Sequence, residues 1–184
     1  AGKVPVMSAA DLYLNEHREY GLSTYSKHSD GTGVAISSRL RPILNMRPKY
    51  RHWLSPSLWQ LNADLHLTDW LEEKNIDFDV VTDEDLHIEG VDMLNRYRCV
   101  LTGSHPEYSS EKMLAAYESY QLNGGRWIYL GSDGFYWVSE YHPDNPNIIE
   151  VRKGEAGTRA WTANPGEYNN AFDGKYGGMW RARG

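Results

Sequence analysis

Two short apolar runs in this chain each stop at a glycine, CVLTG at residues 99–103 and WIYLG at residues 127–131, and a segment of helix length separates them. No other feature constrains the fold as much. A short strand that ends abruptly, followed by an amphipathic helix and a second such strand, is a βαβ unit, whose strands lie parallel through a right-handed crossover. The intervening segment carries the signals of a helix. Ser109 or Ser110 can cap it, Glu111 falls in the first turn, Met113, Leu114, Tyr117 and Tyr120 share one side, and Asn123, Gly124 and Gly125 stop it after Leu122.

Further apolar patterning extends this plan. Leu61, Leu65, Trp70 and Leu71 recur at near-helical spacing within residues 59–74, which predicts a second amphipathic helix. FDVVT at residues 78–82 reads as a strand, and the polar DEDL that follows leads to a short helix near Met93. Residues 34–37 and 148–152 have the composition of short strands. DLYLNEHREY at residues 11–20 fits either a short helix or an ordered loop. STYSKHSDGTG at residues 23–33 is turn chemistry, and two prolines keep any long element out of residues 39–48. The expected architecture is an open, mostly parallel α/β sheet with flanking helices, forming one domain over residues 1–184 that belongs to a longer subunit.

Composition narrows the function classes. With 40% hydrophobic and 12% aromatic residues, the 184-residue chain can build a full core. A mean hydropathy of −0.65 and the lack of a long apolar run argue against a membrane span. A formal net charge of −6 argues against nucleic acid, since phosphate binding calls for a basic surface. The single cysteine, Cys99, lies inside an expected strand and reads as a packed thiol, compatible with a reducing cytoplasm. AGKVPVMSAADLY at the start lacks the charged-then-apolar pattern of a secretion signal.

In open α/β sheets ligands bind beyond the carboxyl ends of the strands, where loops are free to carry chemistry. Gly103 is followed there by SHPEY, which delivers His105 and Glu107 on either side of the stiffening Pro106. Gly131 is followed by SDGFYW, so adjacent parallel strands would bring Asp133 to the same rim. Other chemistries find little support. The histidines form no His-x-x-x-His pair for zinc, Ser132 lacks the G-x-S-x-G frame, and no phosphate-binding glycine fingerprint is present.

SHPEY at residues 104–108, GGRWIYLGSDGFYW at 124–137, EYGLSTYSKHSDGTG at 19–33, SSRLRPILNMRP at 37–48 and VVTDEDLH at 80–87 together resemble the large subunit of N,N-dimethylformamidase. The resemblance implies a glutamine amidotransferase-like (flavodoxin-like) three-layer sandwich without the nucleophilic cysteine. It implies an amidohydrolase that converts small N-substituted formamides, dimethylformamide among them, to amine and formate. A mononuclear iron, ferric in character, is implied as cofactor, with Glu107 as carboxylate ligand, Tyr25 as tyrosinate ligand and His105 beside it in acid/base work. The family's other tyrosinate falls on a segment preceding Ala1. Asp133 stands where the family usually has Asn, and is taken with His105 as a catalytic group. A small partner subunit and a hetero-oligomer are also implied. The alternative function is a non-catalytic assembly module of the same fold.

Overall fold

The computed structural model describes residues 8–51, 57–153 and 167–183. The chain divides into two compact units, one made of Ala1–Gly21 and Arg41–Val80, the other of Leu22–Leu40 and Val81–Gly184.

In the first unit, α1 (Ala9–Glu16) starts at Ser8, whose hydroxyl accepts from the Asp11 amide while the Asp11 carboxylate accepts from the Ser8 amide. This reciprocal cap satisfies donors that the first helical turn cannot. Arg47 pairs with Asp11 at 2.8 Å, tying the 44–47 turn to the start of α1. The 11–20 segment is therefore mostly helix, continued by a short 3-10 turn at Arg18–Tyr20. The helix expected at residues 59–74 is present as α2 (Leu61–Glu73), and it stops where Asn75 takes a left-handed φ of 52°.

In the second unit, β1 (Ile36–Ser38) is followed by α3 (Asp83–Glu89), α4 (Val91–Leu94), β2 (Cys99–Leu101), β3 (Tyr108–Ser109), α5 (Glu111–Leu122), β4 (Arg126–Ile128), β5 (Trp137–Val138), β6 (Glu140–His142), β7 (Asn145–Glu150) and α6 (Trp180–Arg183). The βαβ expectation holds locally: β2 and β4 pair in parallel, Cys99 opposite Arg126, with α5 between them in sequence. Ser110 caps α5 by accepting from the Met113 amide. Leu86, Met93, Leu94, Met113, Ala116 and Tyr120 form the core beneath.

The larger expectation fails. No open parallel flavodoxin-like sandwich forms among the described residues; the widest sheet is three-stranded and antiparallel, in the order β1-β7-β6, and the parallel pairs β2-β4 and β3-β5 remain separate from it. Two local causes are visible. The strand expected at residues 78–82 is absent, because Thr82 serves instead as the cap of α3, its hydroxyl accepting from the Asp85 amide. Val80 is left 74% exposed, where a central parallel strand would be covered on both faces. After β5 only Pro143 and Asp144 separate β6 from β7, too short a link for a crossover, so the pair must run antiparallel. Among the described residues no helix is long and apolar enough to cross a membrane.

His87 joins α3 to the start of α5. It is 8% exposed, its Nδ1 lies 2.8 Å from the Ser110 hydroxyl, and its ring packs 4.3 Å from that of Tyr141. Burial, reinforced by the nearby Lys112 charge, pushes its pKa down from 6.5 to about 4. Because the unfolded chain then binds the extra proton, the neutral ring contributes stability that is complete above pH 6.5 and is lost as the pH falls towards 4. We expect denaturant unfolding to show a loss of up to about 3 kcal/mol over that window, at about 1.4 kcal/mol per pH unit. His87→Gln should flatten the slope.

Candidate functional site

The site begins where β2 and β4 end. Residues 104–107 and 132–137 run side by side, joined by backbone hydrogen bonds from Ser132 N to Ser104 O (3.1 Å), Phe135 N to Pro106 O (2.8 Å) and Trp137 N to Glu107 O (2.9 Å). Gly131 is required at the start of this seam: a Cβ there would lie 2.3 Å from Pro106 Cδ and 3.1 Å from Gly103 O. Pro106 is itself the centre of a tight turn in which Glu107 N donates to His105 O at 2.8 Å. Its ring holds φ close to the value such a turn needs.

That turn brings two side chains together. His105 Nε2 lies 3.3 Å from Glu107 Oε2, and their side chains are only 11% and 12% exposed. Asp133, on the opposing loop, places Oδ2 3.6 Å from the same nitrogen but is 62% exposed. The other Glu107 oxygen accepts from the indole of Trp137 at 2.9 Å, and Trp137 is fully buried. Each oxygen of the carboxylate therefore faces a nitrogen, which fixes its orientation.

Tyr108, the next residue, opens β3. Its hydroxyl lies 2.5 Å from that of Tyr25, 83 residues away in sequence, and accepts from Lys153 Nζ at 2.6 Å. The antiparallel sheet supplies both partners. Ser37 in β1 donates to Leu22 O at 2.6 Å, holding the loop that carries Tyr25, while β7 pairs with β1 and leads directly to Lys153. Lys153 is fully buried, with Nζ 3.0 Å from the centre of the Tyr25 ring.

The electrostatics give this cluster a direction. Burial pushes the Lys153 pKa down to about 7, against the pull of Glu107. Burial also drives the Tyr108 hydroxyl far up, helped by Tyr25 and Glu107. Tyr25 is raised too, by burial of its hydroxyl first and by Glu107 last, although 58% of the residue is exposed. For Tyr25 alone, however, the hydrogen bond from Tyr108 acts in the opposite sense and favours the anion. Lys153 donates to the Tyr108 hydroxyl, and the Tyr108 and Tyr25 hydroxyls share one hydrogen bond.

Among the described residues there is no group of three or more His, Cys, Asp or Glu side chains that could hold a metal ion. The oxygen atoms of Tyr25 and Glu107 are hard donors of the kind a highly charged cation takes.

Of the residues singled out in the sequence, His105, Glu107 and Asp133 meet at one point, and Tyr25 joins the same unit through Tyr108. Tyr108, Trp137 and Lys153 went unassigned. Tyr108 had a signal, its place directly after Glu107; Lys153 had none, because nothing local to a lysine in a loop foretells full burial.

The fold and the cluster together define an α/β domain with an oxygen-donor site beside a histidine–carboxylate pair. Residues 12–184 match the family described as N,N-dimethylformamidase beta subunit-like, C-terminal, and the chain belongs to that family. It is 50% identical over all 184 residues to the N,N-dimethylformamidase beta subunit of Paracoccus aminophilus and 48% identical to that of an Alcaligenes species. The chain spans 24% of the length of each of these curated relatives. These matches correct the subunit assigned by resemblance: the relatives carry the name beta subunit, not large subunit.

The Trp137 indole and Glu107 should be energetically coupled. Trp137→Phe removes one hydrogen bond to a carboxylate and should cost about 2–3 kcal/mol in denaturant unfolding. In a Glu107→Gln background the cost should fall by about 1 kcal/mol, a double-mutant cycle being the measurement.

Proposed function

We propose that this domain carries the hydrolytic centre of a metal-dependent amidohydrolase acting on small N-substituted formamides, dimethylformamide among them. The observation that carries the reading is the presence in one unit of Tyr25, hydrogen-bonded to Tyr108, an oriented Glu107 carboxylate and His105 beside it. Membership of a family named for N,N-dimethylformamidase supports the substrate class. The whole assembly is proposed to pair this subunit with a partner subunit in a hetero-oligomer of the cytoplasm.

Tyr25 and Glu107 would hold a mononuclear ferric ion, completed by donors from elsewhere in the subunit. Such an ion supplies Lewis-acid polarisation of the amide carbonyl and makes water more acidic. The residues of this chain do the rest. Trp137 keeps Glu107 from rotating away, and Tyr108, backed by Lys153, steadies the charge on Tyr25. His105, shielded from solvent and set against two carboxylates, is placed to carry a proton to the leaving nitrogen. The balance is formamide plus water to formate plus the protonated amine: the C–N bond breaks, a C–O bond forms and the nitrogen leaves with the proton.

The test uses the full-length subunit with its partner. Phenolate on ferric iron absorbs visible light, so the intact protein should be coloured and contain iron by elemental analysis. Tyr25→Phe should lose the colour and most of the iron, and Glu107→Ala should lose the iron. His105→Ala should keep both while turnover drops by about 10²–10⁴-fold. Iron-replete, colourless protein, or a His105→Ala variant stripped of metal, would overturn these roles.

A further inference from the structure

Glu107 leads into, and Tyr108 opens, one of the shortest strand pairings in the fold. β3 and β5 meet over two residues each, Tyr108 opposite Trp137 and Ser109 opposite Val138. A two-stranded pair of that length has little stability of its own. Yet Trp137 is fully buried there, and its indole fixes the Glu107 carboxylate. Something outside the pair must hold it.

Residues 178–180 supply that hold. They run antiparallel along the side of β5 that faces away from β3, with Met179 bridged to Trp137. Val138 N donates to Gly178 O at 2.8 Å, and Trp180 N donates to Tyr136 O at 3.0 Å. Trp180 then reaches past β5 altogether: its indole Nε1 donates to Ser109 O, on β3, at 3.0 Å. One residue therefore grips both sides of the pair, the β5 side through its amide and β3 through its side chain. The grip is itself anchored. Arg183 lies over the Trp180 ring, 5.1 Å from its centre, and pairs with Asp173 at 2.7 Å. Gly177, where a Cβ would stand 2.7 Å from Arg152 Cβ, lets the stretch lie close against the residues that follow β7.

Ser109 O has a second donor, Ser139 N at 3.0 Å. Loss of the indole donor therefore leaves no buried acceptor unpaired, and the fold tolerates it. What goes is the tie between β3 and the stretch beyond β5. A metal-binding carboxylate needs that tie more than the fold does, because ligand geometry must be held within about 0.5 Å.

Resting on the hydrolase reading above, we infer that Trp180 is a positioning residue of the site, clamping β3 to β5 so that the Glu107 carboxylate keeps its place as a partner of Tyr25 in holding the metal. Trp180 acts through Ser109 and Tyr136 and touches neither metal nor substrate.

The experiment compares the full-length assembly with Trp180→Phe, which keeps an aromatic ring and removes the donor, and with Trp180→His. The histidine Nε2 is as many bonds from Cβ as the indole Nε1 and restores an N–H. Histidine fills less space than phenylalanine, so recovery in Trp180→His separates the donor from packing. The first readout uses iron-free protein: hydrogen–deuterium exchange by mass spectrometry over residues 104–110 and 136–140. Trp180→Phe should speed exchange there about tenfold, the loosening that one lost hydrogen bond allows, and leave α5 unchanged. The second readout is release of iron to EDTA, followed through the visible band. Release should be about tenfold faster in Trp180→Phe, the low end for residues that orient a ligand from outside the metal shell. Trp180→His should recover most of both. Wild-type behaviour of Trp180→Phe in both readouts overturns the clamp and leaves the hydrolase reading standing, as does faster exchange with unchanged iron release. Trp180→His no better than Trp180→Phe also overturns it. If the wild type takes up no iron, while exchange rises in Trp180→Phe and falls again in Trp180→His, the hydrolase reading is overturned and the clamp on β3 and β5 is upheld.

Discussion

The rim of the second unit depends on the backbone seam between residues 104–107 and 132–137. Four amide-to-carbonyl bonds close it, from Ser132, Phe135, Tyr136 and Trp137, and the absence of a Cβ at Gly131 allows the loops to meet. The side chains of His105, Glu107, Asp133 and Trp137 take their direction from that seam. His105 and Glu107 are aimed by the Pro106 turn on one side, and Asp133 and Trp137 by the left-handed turn on the other. Backbone bonds suit this task because they are short, directional and independent of side-chain rotamers.

The second constraint is charge taken out of water. Lys153 and Glu150 are both fully buried in the stretch around the end of β7. Glu150 is compensated by Arg152 at 2.6 Å and by the amides of Ala171 and Phe172. Lys153 has weaker compensation, one phenol oxygen, the faces of three aromatic rings and the charge of Glu107, and burial still brings its pKa down. A pair of apolar residues would pack there at lower cost.

Much of the local structure was legible in the chain. Capping residues and apolar spacing placed α5 and α2 within a few residues of their observed ends, and the glycine-terminated runs became the parallel pair β2-β4. The misreading at residues 78–82 has a definite cause. Val80 and Val81 have high strand propensity, but Thr82 followed by Asp85 is a capping box, and the cap settles the matter in favour of α3. Once that strand is gone, and the β6-β7 hairpin turns the chain back on itself, a doubly wound parallel sheet has too few strands to form.

The candidate site divides in the same way. His105 and Glu107 are two residues apart, so their proximity is a property of the sequence and of Pro106. The nearness of Asp133 followed from strand order, which the pattern of short apolar runs and one helix already implies. Tyr25 came from resemblance to a family, since a tyrosine in a Ser/Thr/Gly loop carries no mark of its partner. Tertiary structure alone decided that Tyr25 meets Tyr108, that Trp137 turns its indole to Glu107 and that Lys153 is sealed beneath two phenols. The reason is physical. Helix caps, turns and short-range pairs are settled by interactions within a few residues, whereas the β1-β7 register and the burial of a charge depend on every element packed around them.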